Sequence, residues 1–162
     1  EGTYRLPEAQ LDRFLFKIEV EYPNLDEEIR IISGFPEMKS SNDLSQIQQV
    51  LSASDLNEYR QTVRQVRIEE SLISYIANLI HNTRNDMSLY LGASPRASLA
   101  IMMGAKAMAA MSGRHFVTPD DIKRVAAPVL RHRIILTPEM EMQGQRPADV
   151  IERLTETLEI PR

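Results

Sequence analysis

The sequence predicts a mostly α-helical protein that opens with a short stretch of α/β character. Three observations support this prediction. Apolar residues recur at helical spacing along most of the chain, and clear helix-start signals precede several of these stretches. A third is that one run, residues 14–20, is apolar enough for a strand buried in a sheet. A sheet needs more than one strand, so we expect the partners of this strand in sequence outside the present chain.

The helical stripes are clearest in the second half of the chain. Apolar positions three and four residues apart lie on one face of a helix. A fifteen-residue stretch from Ala97 to Met111 is apolar nearly all round, which is typical of a helix surrounded by others. The stripes are Leu72, Ile73, Ile76, Leu79 and Ile80; Ile122, Val125, Ala126, Val129 and Leu130; and Val150, Ile151, Leu154 and Leu158.

Capping residues predict where several helices begin and end. Ser94 and Thr118 each precede a proline, which supplies an N-cap followed by a residue preorganised for the first turn. Ser52 with Asp55 is a candidate capping box. Gly113 follows the apolar Ala97–Met111 stretch and is a candidate C-terminal stop.

We place a domain boundary near Pro23. Residues 1–23 are predicted to be the end of an α/β unit, a short helix and the strand Phe14–Val20, and residues 24–162 a helical domain. A second short strand is predicted at Ile134–Leu136, pairing with Val66–Ile68. Residues 35–49 are polar and irregular, and a loop is expected there.

Composition limits the class of protein further. The 162 residues carry a net charge of −4, which disfavours a protein that coats nucleic acid. The sequence contains no cysteine, which excludes disulfides and thiolate metal sites. No apolar run approaches the roughly 20 residues that span a bilayer, and no secretory signal opens the chain, so we expect a cytoplasmic protein without membrane insertion. The start at Glu1 indicates a piece of a longer protein. The three histidines lack metal-ligand spacing, so no metal site is predicted.

Three motifs resemble the MoxR family of AAA+ ATPases, in the branch that includes magnesium chelatases. Residues 1–14 (EGTYRLPEAQLDRF) resemble the segment that follows the sensor-1 strand, and residues 91–97 (LGASPRA) resemble the sensor-2 motif. Residues 113–122 (GRHFVTPDDI), continuing to residues 129–133 (VLRHR), resemble a third motif of the family. They stand in family order and together cover almost the whole chain. Arg5 departs from the pattern, since the family usually has proline there.

The resemblance implies a fold and a function. The fold would be a helical-bundle AAA+ lid domain with sensor 2, preceded by a remnant of the α/β core. The complete protein would bind ATP and Mg²⁺, form a homo-oligomeric ring, expected to be a hexamer, and use ATP hydrolysis for chaperone-like remodelling or maturation of partners. Partners with von Willebrand factor A domains are implied, and nucleic acid is not.

The resemblance also assigns roles to residues of this chain. Arg13 matches the arginine finger, which acts on the nucleotide of a neighbouring subunit because a guanidinium stabilises the charge of the phosphoryl-transfer transition state. Arg96 matches the sensor-2 arginine, in cis or in trans, with Ser94, Pro95 and Ala97 beside it in a nucleotide-binding motif. From the residue alone, without the surrounding motif, a surface ion pair with Asp12 is the favoured interpretation of Arg13.

The phosphate-binding machinery is absent from the printed sequence. The six glycines never form the G-x-x-x-x-G-K-[ST] loop, and no apolar strand ends in an acidic pair suited to magnesium. This fragment alone is therefore predicted to be inactive. The alternative interpretation is a non-enzymatic helical binding module, such as a DNA-binding helix-turn-helix at Thr118–Arg133. Its support is a basic cluster, which is otherwise interpreted as a solvated helix face: Lys123, Arg124, Arg131 and Arg133.

Overall fold

The computed structural model describes residues 6–34 and 47–160. The chain divides into two compact units, one formed by residues 1–17 and 60–162 and the other by residues 18–59. Most of the predicted loop at residues 35–49 lies outside the described residues. None of the helices in the described part of the chain is long and apolar enough to cross a membrane.

The described residues form eight helices and one two-stranded antiparallel sheet, which confirms the mostly α-helical class. The last turns of α3 belong to the first unit and its beginning to the second. In chain order the elements are α1 (Glu8–Leu11), α2 (Leu25–Gly34), α3 (Ala53–Gln65), α4 (Glu70–Asn85), β1 (Leu89–Leu91), α5 (Pro95–Met111), α6 (Pro119–Leu130), β2 (Ile135–Leu136), α7 (Pro138–Met142) and α8 (Pro147–Thr157).

The core of the first unit lies between α4, α5, α6 and α8. Helix α5 packs against both α4 and α6, and α8 closes the bundle against α4 and α6. The predicted stripes supply this core, except that Ile73 is exposed and Leu158 is half-buried. Helix α5 is not enclosed on all sides as predicted, since Leu99, Met103 and Met111 are exposed. Removing these side chains from water contributes about 1.5–3 kcal/mol each. The largest fully buried apolar side chains are Leu79, Ile80, Ile101, Ile122, Val129, Leu130, Val150 and Ile151.

The predicted helix ends are confirmed by their hydrogen bonds. Ser94 caps α5 and accepts from the Arg96 N–H, and Asp121 accepts from the Thr118 N–H at the start of α6. Gly113 adopts a φ of 71°, and the N–H groups of Gly113 and Arg114 bond back to Ala110 and Ala109. These two hydrogen bonds form a Schellman motif. Glycine is favoured at this position because a residue with a Cβ atom is strained in the left-handed conformation.

Two strand predictions are wrong. Residues 14–20 form no strand; the Phe14 N–H donates to the Leu11 carbonyl and the Lys17 N–H to the Pro128 carbonyl, so these groups bond to helices and not to the β1–β2 sheet. Strand β2 does form, but it pairs with β1 rather than with Val66–Ile68. Residue Arg67 forms an isolated bridge to Phe116, so that segment is held by the loop between α5 and α6.

The second unit contains α2 and the beginning of α3. Helix α2 has no buried residue, and its isoleucines, including Ile29 and Ile32, are exposed. The predicted capping box before α3 is confirmed. The Ser52 N–H donates to the Asp55 carboxylate, and the Asp55 N–H donates to the Ser52 hydroxyl.

Candidate functional site

The segment that carries the LGASPRA motif is fixed against the end of α4. A Cβ atom on Gly92 would lie 2.5 Å from the backbone oxygen of Thr83, so only glycine fits this approach. The Ala93 N–H donates to the Thr83 hydroxyl, and the Arg84 side chain donates to the Ala93 carbonyl. Helix α5 therefore begins at a position set by the last turn of α4.

The first turn of α5 presents Arg96 at the surface. Ser94 accepts from the Arg96 N–H, Pro95 stands at the first helical position, and Ala97 is completely buried. The Ala97 N–H donates to the Ser94 carbonyl. The motif thus divides into residues that fix the turn and one exposed guanidinium, for which the described part of the chain supplies no hydrogen bond or ion pair.

Arg13 lies just after α1 and is also exposed. It follows Asp12, the C-cap residue of this helix, and its backbone N–H donates to the Gln10 carbonyl. Asp12 does not form the surface ion pair with Arg13 that was the alternative. Its carboxylate instead accepts from Arg133 Nε at 3.0 Å and from the Ser94 hydroxyl at 2.9 Å.

Arg133 is the most connected side chain of this region. It is buried, with 6% of its surface exposed, and its five N–H groups make five hydrogen bonds. They are donated to the Asp12 carboxylate, to the carbonyls of Asp12, Phe14 and Leu15, and to the Val129 carbonyl. The prediction that Arg133 belongs to a solvated basic face, or to a DNA-binding surface, is therefore wrong.

Burial lowers the pKa of Arg133, although the hydrogen bond and charge of Asp12 act in the opposite direction. The positive charge of Arg96 also lowers the pKa of Arg133. The Asp12 carboxylate, 3.0 Å from Arg133 Nε, offsets this repulsion.

His132 adds a contact to the same segment. Its Nε2 lies 2.9 Å from the Phe14 carbonyl oxygen, which can only accept, so Nε2 carries the proton. Burial lowers the pKa of His132 and favours the neutral ring. Nearby, the Lys17 N–H donates to the Pro128 carbonyl at 2.9 Å. Residues 12–17 are thereby attached to the C-terminal end of α6.

Arg13 and Arg96 line one shallow depression of about 230 Å³. Its floor is the side of α5 that follows Arg96, together with Leu15. Arg133 borders the depression, but its N–H groups are all engaged. Two exposed arginines therefore border a depression whose lining is mostly apolar. The floor residues on α5 are Leu99, Ala100 and Met103.

Sequence reasoning identified Arg13 and Arg96 but missed Arg133 and Asp12 as the link between them. The available signal was the RHR run after α6, which was assigned to a surface cluster by its charge. Burial of an arginine is rare unless its donors are satisfied, and nothing in the spacing of residues 12 and 133 shows that they meet.

Known proteins place this fold in a class. Residues 81–154 match the family of the AAA lid domain, which covers α5, α6 and most of α8. The crystal structure of a candidate ATPase from Cytophaga hutchinsonii superposes with a TM-score of 0.87 at 37% identity, over 100% of this chain and 51% of that one. The chain is thus the lid-containing part of an AAA+ protein.

Curated relatives specify the family within that class. The chain is 37% identical to chaperone MoxR1 of Mycobacterium tuberculosis, over 100% of this chain and 44% of that protein. It is also 37% identical to the uncharacterised protein YeaC of Bacillus subtilis, over 99% of this chain and 49% of that protein. The chain spans about half the length of the curated relatives it matches. It belongs to the MoxR family of AAA+ ATPases.

Proposed function

We propose that this chain is the nucleotide-sensing part of a MoxR-type ATPase, in which Arg13 and Arg96 act together on one ATP molecule. The observation that carries the proposal is their common position: two exposed arginines, far apart in the sequence, line one depression. Two exposed guanidinium groups at one surface favour an anionic ligand that both can contact.

The proposal has a consequence for which subunit's nucleotide is sensed. The resemblance assigns Arg13 to the nucleotide of a neighbouring subunit. Because Arg96 lines the same depression, it faces the same phosphates, and sensor 2 then acts in trans as well. The apolar floor supplied by α5 would lie against the neighbouring subunit in a ring of identical subunits, a hexamer by resemblance.

The residues of this chain fit ATP through its phosphates. A guanidinium offers two parallel N–H donors to phosphate oxygens, and Arg13 and Arg96 both have free donors within the described part of the chain. Bound Mg²⁺ would neutralise charge on the β- and γ-phosphates. The role of Arg13 is to stabilise negative charge in the transition state, and that of Arg96 is to link the position of α5 to the phosphates.

Ser94, Pro95 and Ala97 contribute indirectly in this proposal. The Ser94 hydroxyl donates to Asp12, Pro95 starts the helix, and the Ala97 side chain lies in the core. They orient the turn from which Arg96 projects. Contact between these three residues and nucleotide remains a prediction from the resemblance.

The test uses the complete ATPase with Arg13→Ala and Arg96→Ala. Arg13→Ala is expected to lower kcat by about 10³-fold or more with little change in the affinity for ATP, because a finger acts mainly on the transition state. Arg96→Ala is expected to lower kcat as well and to weaken the dependence of lid position on nucleotide. Exposed Arg124→Ala, outside the depression, is the matched control and should retain normal hydrolysis.

Mixed rings then test the assignment to a neighbouring subunit. A ring that combines Arg13→Ala subunits with subunits lacking a functional phosphate loop should regain activity, because some sites then receive both intact parts. The same recovery is expected for Arg96→Ala mixtures if sensor 2 acts in trans. Recovery with Arg13→Ala but none with Arg96→Ala would assign sensor 2 to its own subunit and contradict the shared site.

Coupling of hydrolysis to remodelling of partner proteins, including partners with von Willebrand factor A domains, belongs to the same proposal. Its support is the family membership and the name of the mycobacterial relative, chaperone MoxR1. A DNA-binding function receives no support from the structure, because α6 buries its apolar face and Arg133 is engaged inside the unit.

A further inference from the structure

We infer that Arg133 is a positioning residue that holds the segment bearing Arg13 against the start of the helix bearing Arg96. The inference rests on the proposed function of Arg13 and extends it to a residue that touches neither nucleotide nor substrate. Its basis is a hydrogen-bond network that connects three places in the sequence, residues 12–15, the N-cap of α5 and the end of α6.

The contacts of Arg133 bracket Arg13 on both sides. Its guanidinium donates to the carbonyls of Asp12 before Arg13 and of Phe14 and Leu15 after it. These bonds fix the backbone on either side of residue 13 while the Arg13 side chain stays exposed. A rigid planar fork is suited to this task, since its donors have fixed directions.

The same guanidinium reaches the sensor-2 turn through one carboxylate. Arg133 Nε lies 3.0 Å from Asp12 Oδ1, and the Ser94 hydroxyl donates to the other oxygen of Asp12 at 2.9 Å. Ser94 in turn accepts from the Arg96 N–H at 3.2 Å. An unbroken path of hydrogen bonds therefore runs from the backbone beside Arg13 to the backbone of Arg96.

Saturation of Arg133 excludes a direct role. All five N–H groups are bonded inside the unit, so the side chain has no donor left for a phosphate without breaking this network. Its charge is compensated by Asp12. Arg133 thus acts through Arg13, and the network makes the two exposed arginines move as one body when the lid moves.

Hydrogen exchange of the 162-residue chain tests the positioning itself. The Phe14 and Lys17 N–H groups report on the segment, because they bond to Leu11 and Pro128, and Ile101 reports on the core. Arg133→Met should speed exchange at Phe14 and Lys17 by roughly tenfold or more, since hydrogen bonds to a charged group are lost, and Ile101 should change far less. Arg133→Lys should fall between, because an ammonium has three donors.

Arg153→Met is the matched control, since it removes another arginine–aspartate pair of the same unit, to Asp86, without touching residues 12–17. It should leave Phe14 and Lys17 unchanged. If Arg133→Met does not fold, Asp12→Asn gives the same readout while keeping an acceptor for Arg133. Equal acceleration at Ile101, Phe14 and Lys17, or none at the last two, overturns the inference.

Kinetics of the complete ATPase test the consequence for Arg13. Arg133→Lys should lower kcat with little change in KM for ATP, and should have no further effect in an Arg13→Ala background, because it acts through Arg13. An equal loss in both backgrounds overturns the inference while the proposed function stands. If Arg13→Ala hydrolyses ATP normally, the proposed function fails, and hydrogen exchange alone decides whether Arg133 positions the segment.

Discussion

Three arginines of this chain carry the same charge but lie in different surroundings because of where the fold places them. Arg13 and Arg96 are exposed and line a common depression, whereas Arg133 is buried with every N–H group satisfied. A buried guanidinium without partners would cost several kcal/mol, so its network is a requirement of burial. Exposed guanidinium groups carry no such requirement and are available for a ligand.

The exposure of Arg13 and Arg96 predicts that neither contributes to folding. In the 162-residue chain, Arg13→Ala and Arg96→Ala should each change the free energy of unfolding by no more than about 0.5 kcal/mol, as is usual for surface positions. Arg96→Ala should tend towards stabilisation, because a cation at a helix N-terminus is unfavourable. Urea unfolding is the measurement, and a loss above about 2 kcal/mol would show that these residues are structural.

Asp121 predicts a pH dependence of stability. Burial alone would raise the pKa of Asp121, but hydrogen bonds from Arg114 and Thr118 lower it below its ordinary value. A carboxylate with a lowered pKa in the folded state contributes stability above the pKa of the unfolded state, near 4, and that stability is lost as the pH falls through the folded pKa. The wild-type chain should therefore lose this contribution below about pH 4.

The variant Asp121→Asn isolates that contribution. It should cost about 1–3 kcal/mol at pH 7, because the Arg114 fork loses its charged partner, and should flatten the pH profile below about pH 4. Asp149→Asn is the control: Asp149 makes the same N-cap bond at α8, but its ion pair with Arg146 is exposed and its effect should be smaller. Parallel acid profiles of wild type and Asp121→Asn would contradict the prediction.

At the scale of elements, β1 and α5 can approach the end of α4 because Gly92 has no side chain. A Cβ atom on Gly92 would meet the backbone of Thr83 and Arg84 at 2.5–2.7 Å, and backbone atoms in a helix cannot move aside cheaply. Gly92→Ala should destabilise the chain by about 1–3 kcal/mol and shift the start of α5. Circular dichroism melting and the activity of the complete ATPase would both report the change.

Gly104 in α5 is the matched comparison. A Cβ there would lie 3.3 Å from a Val125 methyl group and 3.4 Å from the Phe16 ring, both side-chain atoms that can shift slightly. Alanine also favours a helix interior over glycine by about 1 kcal/mol. Gly104→Ala should therefore cost clearly less than Gly92→Ala. A larger loss at Gly104 would mean that packing on Phe16 and Val125 is tighter than its distances indicate.

At the scale of the whole molecule, the described apolar surface is unevenly distributed. The first unit has a full core, whereas Val20, Tyr22 and Ile32 of the second unit are largely exposed, and α2 has no buried residue. Curated relatives are about twice as long as this chain. Stability is therefore expected to come from the first unit, where α4, α5, α6 and α8 pack together.

The chain by itself is predicted not to hydrolyse ATP. It contains the two arginines proposed to sense nucleotide but no glycine-rich phosphate loop, so it lacks the backbone N–H groups and the lysine that hold the β- and γ-phosphates in P-loop ATPases. Phosphate release measured with purified chain should equal the buffer blank. Turnover that survives repurification, and that disappears in Arg13→Ala, would contradict this prediction.

The sequence determined the features that depend on local pattern. Helical periodicity gave the core residues, caps gave the starts of α5 and α6, and Gly113 gave the end of α5, because each depends on residues within a few positions. The motif spacing was sufficient to recognise the family. Through that resemblance, the sequence also assigned candidate nucleotide-contacting roles to Arg13 and Arg96.

Only the tertiary structure decided the rest. The strand predicted at residues 14–20 is absent, because the Lys17 N–H and the Leu15 carbonyl are hydrogen-bonded to Pro128 and Arg133 and do not pair with the β1–β2 sheet. Strand β2 pairs with β1, and Arg133 pairs with Asp12, 121 residues away in the sequence. These pairings depend on the path of the backbone through space, which local pattern does not encode, and they place Arg13 and Arg96 on one surface.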